Sequence, residues 1–255
     1  MLDTFLTTLH PGLTAGATAG LLLLSLLGSF VSAAFGAGGG ALLLVGMTLW
    51  LPITAAIPLH GVIQLGSNAG RMGVMLPHVQ WPLFGAFAVG AVIGVVAGSQ
   101  LLVELPEGWV EALLGAFILY SLWGRMPLPP RGNRGITVAV GAVTNALTLL
   151  VGATGPLVAA YFRTLHLHRL RHVATFSACM MLQHSLKIAA FGALGFAFGD
   201  YVVFLAVMIG VGFIGTLLGR ATVQRLNDQL FRQILRILLT LLSLRLLING
   251  LAGAL

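Results

Sequence analysis

Only six of the 255 residues are carboxylates, and Asp3, Glu104, Glu107, Glu111, Asp200 and Asp228 all fall at the ends of the long apolar runs or between them. A sodium or proton site built on buried acids, the usual design of coupled membrane carriers, finds no residues here. Charge of either sign is scarce, at 7% of residues against 58% hydrophobic, and the mean hydropathy is +1.02. No soluble domain could cover its surface with so few charges. The single cysteine, Cys179, excludes an internal disulfide and a clustered-cysteine metal site. The opening Met1-Leu2-Asp3-Thr4-Phe5-Leu6 lacks the basic segment of a cleavable signal, so no removable leader is expected.

What is there is apolar helix. Runs such as 12–35, 58–76, 83–103 and 201–218 approach or exceed the roughly 20 residues needed to cross a hydrocarbon core about 30 Å thick. The pattern predicts helices at 13–34, 37–51, 54–76, 82–103, 109–125, 135–151, 155–165, 172–194, 200–219 and 230–250. The net charge of +7 comes from arginines set between the spans. Orientation in a bilayer, not nucleic acid, is their expected role.

Two short phrases interrupt these runs, Gly36-Ala37-Gly38-Gly39-Gly40 and Gly152-Ala153-Thr154-Gly155-Pro156, and their starts lie 152 − 36 = 116 residues apart. At the same offset Asn68 faces His184 and Arg71 faces Lys187, while Leu105-Pro106-Glu107 has a looser counterpart in Leu226-Asn227-Asp228. Duplication is the natural reading. The Pro/Arg-rich stretch at 126–134 then links a first membrane repeat, 1–125, to a second, 135–255.

Charge sets the relation of the halves. If each glycine-broken run is a hairpin, Arg125, Arg131, Arg134, Arg163, Arg169, Arg171, Arg220, Arg225, Arg232 and Arg236 gather on one side, and Asp3, Glu104, Glu107, Glu111 and Asp200 on the other. If the broken runs crossed singly, the arginines would be split. The positive-inside rule favours the first arrangement. The expected fold is an all-α polytopic membrane protein of two inverted-topology repeats, each a glycine-broken helical hairpin followed by three transmembrane helices, with both termini outside.

Glycine breaks free backbone groups that hydrocarbon cannot satisfy, so they are tolerated only where protein or a wet cavity receives them. Helices restarting near Gly39 and Gly155 would present unpaired N–H groups and positive dipole ends, which favour anions, and Pro156 suits a first turn. Close helix packing through small residues is the competing explanation. After the first break, His60, Gln64, Ser67, Asn68 and Arg71 recur at helical spacing on one face; the second copy has Met180, Gln183, His184 and Lys187. Arg71 and Lys187 lie near enough to their helix ends that snorkelling to water is the alternative to a pathway role. His60 and His184 are the candidates for any proton coupling. His166, His168 and His172 lack the HExxH glutamate and have basic neighbours, so they read as a topology anchor; no metal or other cofactor is expected.

With Gly36-Ala37-Gly38-Gly39-Gly40-Ala41-Leu42-Leu43-Leu44 and Gly152-Ala153-Thr154-Gly155-Pro156-Leu157-Val158-Ala159-Ala160-Tyr161, the small two-halved chain resembles the TauE/SafE sulfite exporter family over nearly its whole length. The resemblance implies multi-pass residence in a bacterial inner membrane and transport, usually outward, of small sulfur-containing anions such as sulfite or sulfonates. It also implies a proline soon after the first glycine motif, where this chain has Val45-Gly46-Met47. The expected partners are a small anion and the bilayer, with homo-oligomers left open. The expected binding set is Gly36, Gly38, Gly39, Gly40, Gln64, Asn68, Arg71, Gly152, Thr154, Gly155, Gln183, His184 and Lys187. An anion leaving a negative cell gains roughly 2.3 kcal/mol per charge per 100 mV, so export could run on potential alone. The rivals are a membrane assembly subunit, which would need no polar face, and an intramembrane enzyme, for which Cys179 with His184 is the one candidate pair.

Overall fold

The computed structural model describes residues 2–10, 12–35, 38–102, 105–124, 133–222 and 228–254. These form eleven α-helices and no strand: α1 (Leu2–Leu9), α2 (Ala15–Phe35), α3 (Gly39–Met47), α4 (Ile53–Met75), α5 (Trp81–Leu102), α6 (Glu107–Trp123), α7 (Arg134–Val151), α8 (Gly155–Thr164), α9 (Arg169–Ala193), α10 (Val202–Thr222) and α11 (Asp228–Ala254). Most of the linker at 126–134 lies outside the described residues, as do Gly36 and Ala37. The helix not expected is α1, whose eight residues are too few to register as a span. Its Leu6 and Leu9 are buried, and His10 beyond it stacks on Tyr201 with ring centres 5.0 Å apart.

Both broken runs are hairpins. Gly39 lies against Gly28, Gly46 against Leu24 and Trp50 against Gly20, so α3 runs back antiparallel along α2. In the second run the Thr154 hydroxyl donates to the Thr144 carbonyl, and the Tyr161 and Thr137 hydroxyls bond each other. Thus α8 returns along α7. At nine and ten residues, α3 and α8 are about 14–15 Å long, half of a hydrocarbon core. Gly38 and Gly152 make the reversals with φ of 97° and 71°, a left-handed backbone that glycine adopts without steric cost. Val45-Gly46-Met47, where family resemblance called for proline, continues α3 unbroken, and a proline in that helix would have removed a backbone hydrogen bond.

The remaining helices pair across the middle of the chain. α5 packs parallel to α7 and α2 parallel to α10, whereas α4 lies antiparallel to α9 and α6 antiparallel to α11. The contacts that set these directions are Gly90 and Gly98 on Val138 and Ala146, Ser25 and Gly219 on Met208 and Phe30, Gly61 on Lys187 with Gln80 just beyond α4 bonded to Thr175, and Gly108 and Gly115 on Gly250 and Ser243. Helices meet this closely in lipid through small residues. Gly90, Gly94 and Gly98, four apart, turn one bare stripe of α5 onto the α7 backbone. Gly94→Val should therefore cost on the order of 3 kcal/mol through forced overpacking, read as loss of a monodisperse peak in detergent. Gly85→Ala, with open space around it, is the matched control and should leave the peak intact.

Five helical segments are long and apolar enough to cross a membrane: Ala15–Phe35, Trp81–Gln100, Arg134–Val151, Phe198–Ala221 and Arg232–Ala254. α4 and α9 are longer than most of these, at 23 and 25 residues, but too polar to be counted with them. They form the central antiparallel pair, where polar side chains meet protein instead of lipid.

Candidate functional site

The restarts of α3 and α8 border one cavity. Neither helix start carries a side-chain cap, and the first amide of α3 to find a helical partner is Leu42, which donates to the Gly38 carbonyl. Pro156 occupies the first turn of α8, as its missing N–H permits. Two uncapped N-termini thus approach the same space with their positive ends. The cavity holds about 60 Å³, room for roughly four to six water-sized spheres.

Its walls come from matching positions in α4 and α9. His60, Gln64 and Asn68 line it from α4, and Phe176, Met180 and His184 from α9; 176 − 60 = 180 − 64 = 184 − 68 = 116. From the two breaks Gly38, Gly40 and Ala41 line it together with Ala153, Gly155 and Pro156, of which Gly40 and Pro156 stand at the same offset. The two sets differ in chemistry. α4 contributes an amide ladder in which Arg71 Nη2 donates to Asn68 Oδ1 at 3.2 Å and Asn68 Nδ2 donates to the Gln64 carbonyl at 2.8 Å, while α9 contributes an aromatic, a thioether and one imidazole. A Cβ on Gly40 would collide with the Gln64 amide, so glycine there lets the side chain reach the helix start. Among the described residues Arg71 is the lone cation on the cavity wall, and no carboxylate lines it.

Behind the wall a hydrogen-bonded string joins the two breaks. His60 Nε2 bonds the Gly40 carbonyl at 3.0 Å, and Lys187 Nζ lies 3.3 Å from His60 Nδ1 and 2.9 Å from the Gly152 carbonyl to which it donates. Because a carbonyl only accepts, Nε2 carries the imidazole proton and Nδ1 accepts from Lys187. Lys187 is fully buried, so it does not snorkel. His184 stands edge-on to His60 with centroids 5.7 Å apart, and its Nδ1 is buried with no hydrogen-bond partner among the described residues. A buried polar atom without a partner is uncommon, and the residue that carries this one lines the cavity.

The match with known proteins is decided by a family profile. The profile for "Sulfite exporter TauE/SafE" covers residues 21–246 of the 255. The chain belongs to the TauE/SafE sulfite exporter family. No curated protein and no solved structure matches it. TauE/SafE membership and the five apolar spans make this a multi-pass membrane transport protein of a family that exports sulfite-type anions.

Of the residues expected at the TauE/SafE site, Gly38, Gly40, Gln64, Asn68, Arg71, Gly155 and His184 line the cavity, as does His60. Gly39 instead presses against Gly28 and Ser32 of α2, which is the close-packing use of glycine. Gln183 is fully buried, donating to the Thr148 and Thr154 hydroxyls at 3.2 and 3.0 Å, and so braces the second break from behind. Gly152, Thr154 and Lys187 belong to this bracing layer. Gly36 lies outside the described residues. Ser32 and Phe176 line the cavity unforeseen. Phe176 could have been found at 60 + 116, but an aromatic in an apolar helix carries no polar signal.

Proposed function

We propose that this protein moves small sulfur-containing oxyanions, sulfite or sulfonates, outward across a bacterial inner membrane by alternating access around the cavity between the two broken hairpins. The observation that carries the reading is the meeting of two uncapped helix starts and Arg71 around a cavity with no carboxylate on its wall among the described residues. Dipole ends and a guanidinium fork suit an oxyanion, and a cation would find only repulsion. The His184 ring and the Gln64 and Asn68 side chains supply further polar contacts.

The two halves act as inverted repeats. An in-plane two-fold axis requires each helix that meets its own counterpart to do so antiparallel, and requires unlike pairs to come in reciprocal sets of one sense. α4 on α9 and α6 on α11 are antiparallel, while α2 on α10 and α5 on α7 are the reciprocal parallel set. Such repeats favour rocking about a midplane site. Arginine bias then sets Arg134, Arg163, Arg169, Arg171, Arg220, Arg232 and Arg236 toward the cytoplasm and both termini toward the periplasm. A periplasm-dependent reporter fused after residue 255 should be active, and an inactive fusion would overturn the orientation.

Purified protein in liposomes should carry saturable sulfite flux at a set potential. Absence of flux for sulfite and for simple sulfonates alike would refute the transport reading. Proton coupling through His60 would require Nδ1 to gain a proton, so Lys187 would have to release it first.

A further inference from the structure

A second, larger chamber of about 570 Å³ adjoins the first, sharing Gly38, Ala41 and Pro156 with it. It lies among α3, α6, α8 and α11, at the end of the molecule where Arg163 closes α8 and Arg232 and Arg236 sit on the first turns of α11. α8 connects the two spaces. Its N-terminus borders the small cavity and Arg163, eight residues on, lines the large one about 12 Å away. Leu235, also on the chamber wall, packs against Gly38 where the two spaces meet.

Orientation alone explains arginines at a membrane boundary. It does not explain three of them lining one cavity beside apolar walls of Ile118, Leu122 and Leu239. Arg236 is held there, its guanidinium 5.2 Å from the Trp123 ring centre, while Trp123 Nε1 donates to Thr240 Oγ1 at 3.0 Å. No carboxylate lines the chamber among the described residues.

We propose that this chamber is a second anion site, an antechamber that takes the sulfonate or phosphate head of an amphipathic anion on Arg163 and Arg236 and its apolar part against α6 and α11. The low-dielectric walls focus the arginine field and concentrate anions in front of the narrow cavity. Its volume admits molecules that the inner cavity excludes. Such anions occupy the antechamber without passing, and they inhibit from the arginine-rich side alone. The role as antechamber rests on the transport reading; the binding does not, and it is measured without flux.

The probe is 5-dimethylaminonaphthalene-1-sulfonate, read by energy transfer from Trp123 in a chain whose other three tryptophans are phenylalanine. In phosphatidylcholine nanodiscs we expect saturable transfer that millimolar sulfite displaces, that the neutral sulfonamide analogue does not produce, and that Arg163→Gln with Arg236→Gln weakens at least tenfold. Arg163→Lys with Arg236→Lys should restore most of it, which separates lost charge from lost folding. Phosphatidylglycerol tests a lipid as the source of the head group: if it displaces the probe and sulfite does not, the anion site stands with a lipid as its occupant and the antechamber role falls. Equal affinity in the glutamine variant and the unaltered chain, or equal binding of the sulfonamide, would overturn the proposal. Binding without any sulfite flux would leave this site standing and remove the transport reading.

Discussion

Arg71→Ala should reduce kcat/KM for sulfite flux 10- to 100-fold while the protein purifies normally. Hydrogen bonds to a charged group contribute about 1.5–3 kcal/mol, and each 1.4 kcal/mol is a factor of ten. The variant should fold because the guanidinium's hydrogen-bond partners among the described residues, Ser67 and Asn68, belong to its own helix. Arg71→Lys keeps charge but loses the planar fork, so it should fall between the two. The measurement is initial flux into liposomes across a range of sulfite concentrations. Unchanged flux in Arg71→Ala would remove the guanidinium from the binding site.

The second large effect is on stability. Lys187→Met fills a similar volume but leaves His60 Nδ1 without its donor in a fully buried setting and leaves the Gly152 carbonyl only the longer bond from the Thr148 hydroxyl at 3.4 Å. The orphaned Nδ1 costs about 1–3 kcal/mol and the bond lost at the carbonyl about 1 more, so a loss of about 2–4 kcal/mol is expected, visible as a lowered Tm of the detergent-purified protein. His60→Leu in the same chain should relieve part of that loss, because one orphaned group disappears with the ring. Strict additivity of the two substitutions would show that His60 and Lys187 are not linked.

Much of this architecture was legible in the primary structure because bilayers punish exceptions. A buried backbone break, a polar stripe on an apolar helix and a one-sided excess of arginine each have few physical explanations in lipid, and together they point to hairpins and a central pair of polar helices. The hairpin form of the 36–40 and 152–156 breaks, decided at first by charge alone, is fixed by the contacts of Gly46 with Leu24 and of Thr154 with Thr144. Less legible was which polar residue faces the cavity and which stands behind it. Gln183 and His184 are neighbours 100° apart on one helix, and nothing local says that the first braces a turn while the second lines the space. Equally hidden was the bare stripe of Gly90, Gly94 and Gly98, whose partner is on the far side of the linker.

That exchange of partners has a consequence for biogenesis. Ser25 of α2 bonds the Met208 carbonyl of α10, 183 residues later in the chain. At translation rates of about 5–20 residues per second, α2 waits on the order of ten to forty seconds in the membrane for its mate. During that interval α2 exposes the face of Ser25, Ser29 and Phe30 that α10 later covers, and α5 exposes its stripe of Gly90, Gly94 and Gly98 until α7 follows, so any neighbouring helix could settle on them. The insertion machinery must therefore shelter a half-made protein, and a chain truncated after residue 125 should be a substrate for membrane proteolysis, not a stable half.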